Sequence, residues 1–563
     1  MGLHKLTAGD GYTYLTRQVA AGDSTERGYS TLGEYYSAKG ETPGVWMGPG
    51  ADVLGVASQQ VTEQQMRNLF GQGIHPDAER IVQELYALGW SVPAARRATL
   101  LGARFPVFEG DTAWRDRLTE RYAAWNTVRG LPGDWPVPAQ ERARIRTETA
   151  REIFTEQYGR PPATAQELDG FLRQASRPET SAIAGYDLTF TPVKSVSTLW
   201  AIAPIEISRA IEDAHQAAVA ATLDWLGARV AYTRVGARGA AQVDTDGLTC
   251  AAFTHRDSRA GDPDLHTHVA VSNKVRVAGS TDRWLALDGR MIHRYAVAGS
   301  EMYNTLLEAE VTSRVGGRFA ERPGEAGKRP VRELVGVNPD LAARWSTRRG
   351  AITSHRERLV ADFRAAHGRL PTAVEMVALS EQATLATRQA KHEPRSLADQ
   401  RATWHGQAVA MLGGQQGLER MLADVTAGRD PGTRPSGPRP LGPVSRGEVA
   451  RLAGRTVAAV AGSRALWSAH NLAAEAARQV RGLAGLSPAQ TIELVGRVAA
   501  LAAGAEHSIP IGFDVDVEVD APPPGPLTRA DGISVYRMAG GQRYTSPAIL
   551  DAERRIVTAA GTG

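Results

Sequence analysis

Three of the chain's 13 histidines fall in one stretch, FTHRDSRAGDPDLHTHVAVSNKV, at His255, His266 and His268. Imidazole nitrogen is a common ligand for divalent metals, and in a β-strand the side chains at i and i+2 leave the same face. His266 and His268 therefore project together while Thr267 points away. LTCAAFTH upstream also reads as a strand, and RDSRAGDPDL between the two carries a Gly-Asp-Pro turn signal. Folded back as a hairpin, the first strand puts Ala251, Phe253 and His255 on one face, with His255 at the strand end beside the HTH pair. Three imidazoles from two strands form a three-point metal site with coordination positions left open, which is the form of a catalytic site. A chance group of surface histidines is the competing reading. Three neutral nitrogens hold zinc, nickel or copper more tightly than magnesium or manganese, and a phosphate substrate would add oxygen ligands that make a harder ion functional. Asp187, in the strand-like GYDLTFT with Thr189 and Thr191 on its face, is the candidate carboxylate to accept an imidazole N–H and fix the ring's orientation.

The elements around these residues change character along the chain. Residues 1–50 are rich in Tyr and Gly, and residues 51–180 read as mainly helical, with Pro161 and Pro162 breaking the last helix. From 185 onward strands and helices interleave. KSVSTLWAIA reads as a helix after Pro192, IEDAHQAAVAATLDWLGARV as a long amphipathic helix, and ARVAYTRVG, LTCAAFTH and HTHVAVSNKVRV as strands. This order predicts an α+β domain with a largely antiparallel sheet. Helices resume at about 288–315 and 353–426. The Pro/Gly/Arg-rich run GRDPGTRPSGPRPLGP, 428–443, reads as a linker. An Ala-rich helical segment at 446–506 and a short tail beyond the proline run 521–526 follow. The expected organisation is a domain over 1–427, a linker over 428–445 and a separate segment over 446–563.

The composition is that of an ordinary globular protein, with 42% hydrophobic and 22% charged residues in 563. No apolar run reaches the roughly 18 residues of a membrane span, and the N-terminus lacks a secretory pattern. A single cysteine, Cys250, excludes an intrachain disulfide and a Cys-based zinc site and suits a reducing compartment. The formal net charge of +4 permits a nucleic-acid partner where basic residues cluster. Most are arginines, which make two-point contacts with phosphate. No GxxxxGK[ST] loop occurs. GEAGKRP at 324–330 is too short and lacks the Ser or Thr, so no ATPase activity is expected.

Four separated pieces stand in an order that is informative: GYTYLTRQ with EYYSAKGETPGVWMG, then AGYDLTFTPVKSVS, then the histidine stretch, then VRELVGVNPDLAARWSTRRGAI. In these the chain resembles the conjugative relaxases of the TrwC/TraI (MobF) type, within the wider class of HUH single-strand endonucleases, over residues 1–50 and about 181–400. The resemblance implies the HUH relaxase fold, a central antiparallel sheet flanked by helices, here with a mainly helical insertion at 51–180 and a C-terminal helical extension. Two departures stand out. Thr267 occupies a position that is usually hydrophobic in the class, and 51–180 is much longer than expected, although its start, LGVASQQVTEQQMRNLFGQG, still looks familial. LWSAHNLAAEAARQ and RADGISVYRMAGGQRYTSPAILDAE resemble the segment leading into the family's C-terminal helicase, so the chain is expected to stop before that motor.

The resemblance also implies a reaction. A tyrosine hydroxyl attacks one phosphodiester of single-stranded DNA at a plasmid transfer origin, leaving a free 3′-OH and a 5′-phosphotyrosyl link, and reversal reseals the strand. A divalent ion, Mg2+ or Mn2+ in function with Zn2+ or Ni2+ as alternatives, would sit on His255, His266 and His268, with Asp187 behind them. Tyr12 and Tyr14 match the family's first tyrosine pair, although Thr13 separates them. On a helix such residues diverge by about 200°, so only one can face the metal. Tyr35 and Tyr36 match the second pair. Lys194, Arg234, Arg238 and Lys274 are candidates to line a groove for single-stranded DNA. STRRGAITSHRER is a candidate to contact an extruded hairpin beside the nick. A type IV secretion coupling protein and relaxosome accessory proteins are the partners implied, in a bacterial cytoplasm. A rolling-circle replication initiator shares the metal and the tyrosine, but not the placing of tyrosines ahead of the HTH strand. A non-enzymatic DNA-binding accessory protein with a structural metal is the alternative of another class.

Overall fold

Period-two alternation decides how the centre of this protein is built. The computed structural model describes residues 1–9, 11–13, 15, 43–106, 112–131, 133, 135, 137–176, 182–322, 329–387, 395–426, 444–483, 485–512 and 527–561. Five strands, β1 (Gly2–Thr7), β2 (Val45–Met47), β3 (Ile183–Phe190), β4 (Cys250–Asp257) and β5 (Pro263–Ser272), form one sheet in the order β1-β3-β5-β4-β2. Every neighbouring pair is antiparallel. β5 is therefore central. Its Leu265, Val269 and Val271 enter the main core, as do Cys250 and Ala252 of β4 and Tyr186, Leu188 and Phe190 of β3. The alternate residues, Ala184, Ala251, Phe253 and Ala270, enter a second core on the opposite face.

The expected insertion at 51–180 divides in two. Leu54, Val56, Val61, Met66, Leu69, Phe70 and Leu101 belong to the second core, together with Leu6, Tyr12 and Trp46, so 51–105 is part of the sheet's own packing. A π-helical turn, Arg67–Gln72, lies in this segment. Beyond it, α1 (Thr112–Thr127), α2 (Ala139–Tyr158) and α3 (Ala165–Ala175) gather a small core of their own around Trp114, Ala150, Leu168 and Ala175.

The main core is built by helices on the other face. After α4 (Lys194–Ile202) comes α5 (Ile205–Val230), whose buried Ile211, Ala214, His215, Ala218, Val219, Thr222 and Leu223 recur at helical spacing. It packs along α6 (Gly289–Val315), which buries Met302, Tyr303, Leu306 and Leu307. Further on, α7 (Thr347–His367) and α8 (Ala373–Ala386) pair with each other, and α9 (Leu397–Met411) returns to α4. α7 buries none of its residues.

The segment expected to stand apart after 445 does not. α10 (Arg446–Ala461), α11 (Ala469–Val480) and α12 (Pro488–Ala503) place Val449, Leu452, Val480, Leu494, Val495 and Val498 in the main core. Ion pairs fasten them. Arg478 reaches Glu301 of α6 at 2.7 Å, Arg481 bonds the same carboxylate, and Thr305 donates to the Ala477 carbonyl at 3.0 Å. The tail at 527–545 is likewise docked, since the Val535 carbonyl accepts from Gln242 N–H at 2.7 Å. A composition-based boundary marks the connector, but not where the next helices find apolar surface. Most of that connector, 428–443, lies outside the described residues, as do 324–328 and 521–526. Among the described residues no helix is long and apolar enough to cross a membrane.

Candidate metal centre

His255 and His266 lie directly opposite each other across the β4–β5 ladder, and His268 follows two residues on. A register shift between His255 and Asp257 puts one extra residue on β5 at the hairpin end, a bulge of the kind that re-aims side chains next to functional sites. Ring centroids stand 5.3 Å apart for His255–His266, 5.5 Å for His255–His268 and 5.2 Å for His266–His268. An imidazole bound through one nitrogen at about 2.1 Å has its centre roughly 3.2 Å from the ion, so three rings at tetrahedral angles would stand about 5.3 Å apart. The rings are thus spaced for an ion. The donor atoms are not yet gathered, because among the described residues no group of three or more His, Cys, Asp or Glu side chains stands in metal-holding arrangement. The rings are tilted against one another by 34°, 75° and 73°.

Oxygen atoms fix two of the rings. Asp187, buried on β3, accepts from His268 Nδ1 at 2.8 Å, and Thr189 Oγ1, directly across the ladder from His268, lies 3.3 Å from the same nitrogen. The Asp264 carbonyl accepts from His266 Nδ1 at 2.7 Å. With Nδ1 so engaged, Nε2 is the nitrogen that each ring could offer a metal. Burial, opposed by Asp264 and reinforced by His268, pushes the His266 imidazole below its ordinary pKa and so toward the neutral form that ligates. The donor set fits a divalent ion.

The hairpin tip is held from outside. Asp262 accepts from Thr347 N–H at 3.0 Å and from its hydroxyl at 3.2 Å, so the start of α7 is tied to the turn between the histidine strands. Trp404 of α9 donates to the Gly261 carbonyl at 2.9 Å, and Gln400 donates to Asp257 at 2.8 Å. From that anchor α7 runs outward carrying Arg348, Arg349, Arg356 and Arg364, none of which pairs with a carboxylate among the described residues.

The other candidates fare differently. Tyr12 is a core residue, 4% exposed, with its ring 6.4 Å from Phe70; a Cβ at Gly71 would lie 3.3 Å from its hydroxyl. Tyr14, Tyr35 and Tyr36 lie outside the described residues. Two of the four groove candidates are turned inward. Lys274 is buried, donates to the Ala103 carbonyl, sits 4.5 Å from the Phe105 ring centre and is pushed down to about 8 by burial. Lys194 donates to the Pro263 carbonyl and is likewise lowered by burial. Arg234 is half-buried and donates to the Gly239 carbonyl at 2.6 Å. Arg238, exposed at φ 56°, alone of the four points to open solvent. Charge in a sequence does not reveal whether a cation meets a phosphate or a carbonyl of its own fold. Cys250, buried with its thiol pushed up to about 12, is no nucleophile.

The profile of the TrwC relaxase family matches residues 8–411, and the chain belongs to that family. Two curated relatives, both multifunctional conjugation protein TraI, are 29% identical over 244 residues (Escherichia coli) and 30% identical over 243 (Escherichia coli strain K12). Each match covers 38% of this chain and only 13% of the relative's length. Among solved structures, the conjugative relaxase TrwC in a copper-bound complex with oriT DNA aligns at 22% identity over 74% of this chain and 99% of that one, with a TM-score of 0.41. TrwC with a 27-mer DNA comprising the recognition hairpin and the cleavage site aligns at 27% identity over 46% of this chain and 90% of that one, with a TM-score of 0.34.

Proposed function

We propose that this chain is a conjugative relaxase. It binds single-stranded DNA at a plasmid transfer origin, cleaves one phosphodiester by tyrosine transesterification and rejoins it. The observation that carries the reading is the convergence of three imidazoles beside a buried carboxylate in a chain of this family. The phenolic oxygen bonds to phosphorus, the P–O3′ bond breaks, and the 3′ oxygen leaves with a proton as a hydroxyl. The phosphotyrosyl bond keeps the energy of the broken phosphodiester, so rejoining needs no ATP. A phenol with a pKa of about 10 is a weak nucleophile at neutral pH. His255, His266 and His268 would hold a divalent ion such as Mg2+ or Mn2+, which would supply charge neutralisation at the scissile phosphate. Asp187 and Thr189 hold the His268 ring, and the Asp264 carbonyl holds that of His266, so that both keep Nε2 toward the substrate.

Tyr14 is the nucleophile in this reading. The burial of Tyr12 in the second core supports it, since a ring packed there is not the one offered to a strand of DNA. Tyr35 and Tyr36 serve a second strand transfer. The α7 arginines, together with exposed Arg238, track phosphates of the strand or of a hairpin beside the nick. A type IV secretion coupling protein, relaxosome accessory proteins and a bacterial cytoplasmic setting belong to the same reading.

The test is incubation with labelled single-stranded oligonucleotides from the cognate transfer origin. A denaturant-resistant adduct is expected with the wild-type chain and with Tyr12→Phe, and none with Tyr14→Phe or after EDTA. An adduct from Tyr14→Phe moves the role to another tyrosine. Binding without any adduct, with Mn2+ or Mg2+ present, leaves a DNA-binding accessory protein.

A further inference from the structure

Behind the histidines, on the helix-packed face of the sheet, lies a chain of polar groups that strand cleavage does not use. Thr267, between His266 and His268, is fully buried there. Its hydroxyl lies 2.8 Å from His215 Nε2, 3.0 Å from Thr254 Oγ1 and 3.3 Å from Gln216 Nε2. Gln216 Nε2 also donates to Thr254 at 2.7 Å. The other nitrogen of His215, Nδ1, meets the Tyr303 hydroxyl at 2.8 Å. His215 and Tyr303 are themselves fully buried, on α5 and α6, among Ala214, Ala218, Val219, Leu265 and Phe190.

A hydroxyl and an imidazole in an apolar layer are costly unless bonded, and here both nitrogens of His215 are engaged. Period-two burial already fixes the register of β5, since a slip by a single residue would turn every side chain to the other face. Directional bonds add a fixed seating of the two strands against each other at this point. Thr254 and Thr267 are cross-strand partners, and they adjoin His255 on one strand and His266 and His268 on the other. We propose that His215 is a positioning residue for the three-histidine centre, acting through Thr267 and Thr254 from the far side of the sheet. The inference rests on reading that centre as a metal site. Burial lowers the His215 imidazole to about 3 and raises the Tyr303 phenol well above its ordinary value, so both stay neutral and the bonds persist across working pH.

The experiment titrates Mn2+ calorimetrically into the full chain and records the thermal midpoint of the metal-free protein. His215→Leu and Thr267→Val should each weaken Mn2+ binding by at least about tenfold, as outer partners of ligands do. The double variant, in which His215 and Thr267 no longer leave each other unpaired while the Tyr303 hydroxyl still loses its partner, should recover part of the midpoint lost in the single variants without recovering the affinity. Unchanged affinity in both single variants overturns the proposal. So does an affinity that returns with the midpoint in the double variant, since the network would then support only the fold. Should His215→Leu not fold, Thr267→Val, nearly identical in shape, decides by the same criterion. A wild-type chain that binds neither Mn2+ nor the more tightly held Ni2+, or a His266→Ala variant that binds them equally well, refutes the metal reading itself and is distinguishable from either result.

Discussion

In the proposed metal centre Asp187 would act through the His268 imidazole, and that contribution can be separated from folding. Asp187→Asn keeps the shape and loses the charge that orients and polarises His268. Mn2+ affinity is expected to fall about 10- to 100-fold while the metal-free protein keeps its circular dichroism spectrum. An unchanged affinity would reduce the carboxylate to a packing role. These residues are readable in the sequence because strand alternation alone puts His266 and His268 on one face and a hairpin brings His255 to them. The oxygen on His266 is not readable, since it belongs to the backbone of Asp264 and any residue there could supply it. The inward turn of Lys194 and Lys274 is hidden for a related reason: the carbonyls they serve, Pro263 and Ala103, carry no sequence signature.

At the scale of elements, the link from Asp262 to Thr347 sets the base of an arginine-bearing helix at the turn between the two histidine strands. If α7 tracks phosphates, replacing Arg348 and Arg349 together by Ala should weaken single-stranded DNA binding without altering Mn2+ affinity. The slope of log affinity against log salt should also become shallower, by roughly 0.7 for each phosphate no longer neutralised. Equal slopes in variant and wild type would take these residues out of the DNA path. The long helices around the sheet are legible from their apolar periodicity, α6 almost to the residue and α5 at its end, although α5 begins at Ile205, ahead of the stretch that reads as helical. The order of the strands is not. β1 and β2 come from the first fifty residues and are six and three residues long, and they join the sheet only by pairing with distant strands. The hairpin of Phe319–Arg322 with Val331–Leu334 is equally hidden, because four-residue alternations are too short to stand out.

For the molecule as a whole, the shared core changes what truncation should do. A chain ended at residue 427 would lose Val449, Leu452, Val480, Leu494, Val495 and Val498 from the core and leave Glu301 without Arg478 and Arg481. At roughly 1.5–3 kcal/mol for each large apolar side chain, the loss is of the order of a whole domain's 5–15 kcal/mol. Such a chain should melt far below the full-length protein or fail to fold, as a thermal scan and limited proteolysis would show. A wild-type midpoint and a normal DNA adduct from the shortened chain would restore the modular division that the Pro/Gly/Arg run suggests. The three helices α1–α3 are the opposite case. Phe105 before them and Ala182 after them pack against the same second core, while Trp114, Ala150, Leu168 and Ala175 form a separate core with Leu118, Ile153, Phe171 and Leu172 against it. The excursion leaves and rejoins the fold at one place, and closing so long a loop costs little more than closing a short one. Shortening the chain between Phe105 and Ala182 should therefore leave the histidine hairpin where it is.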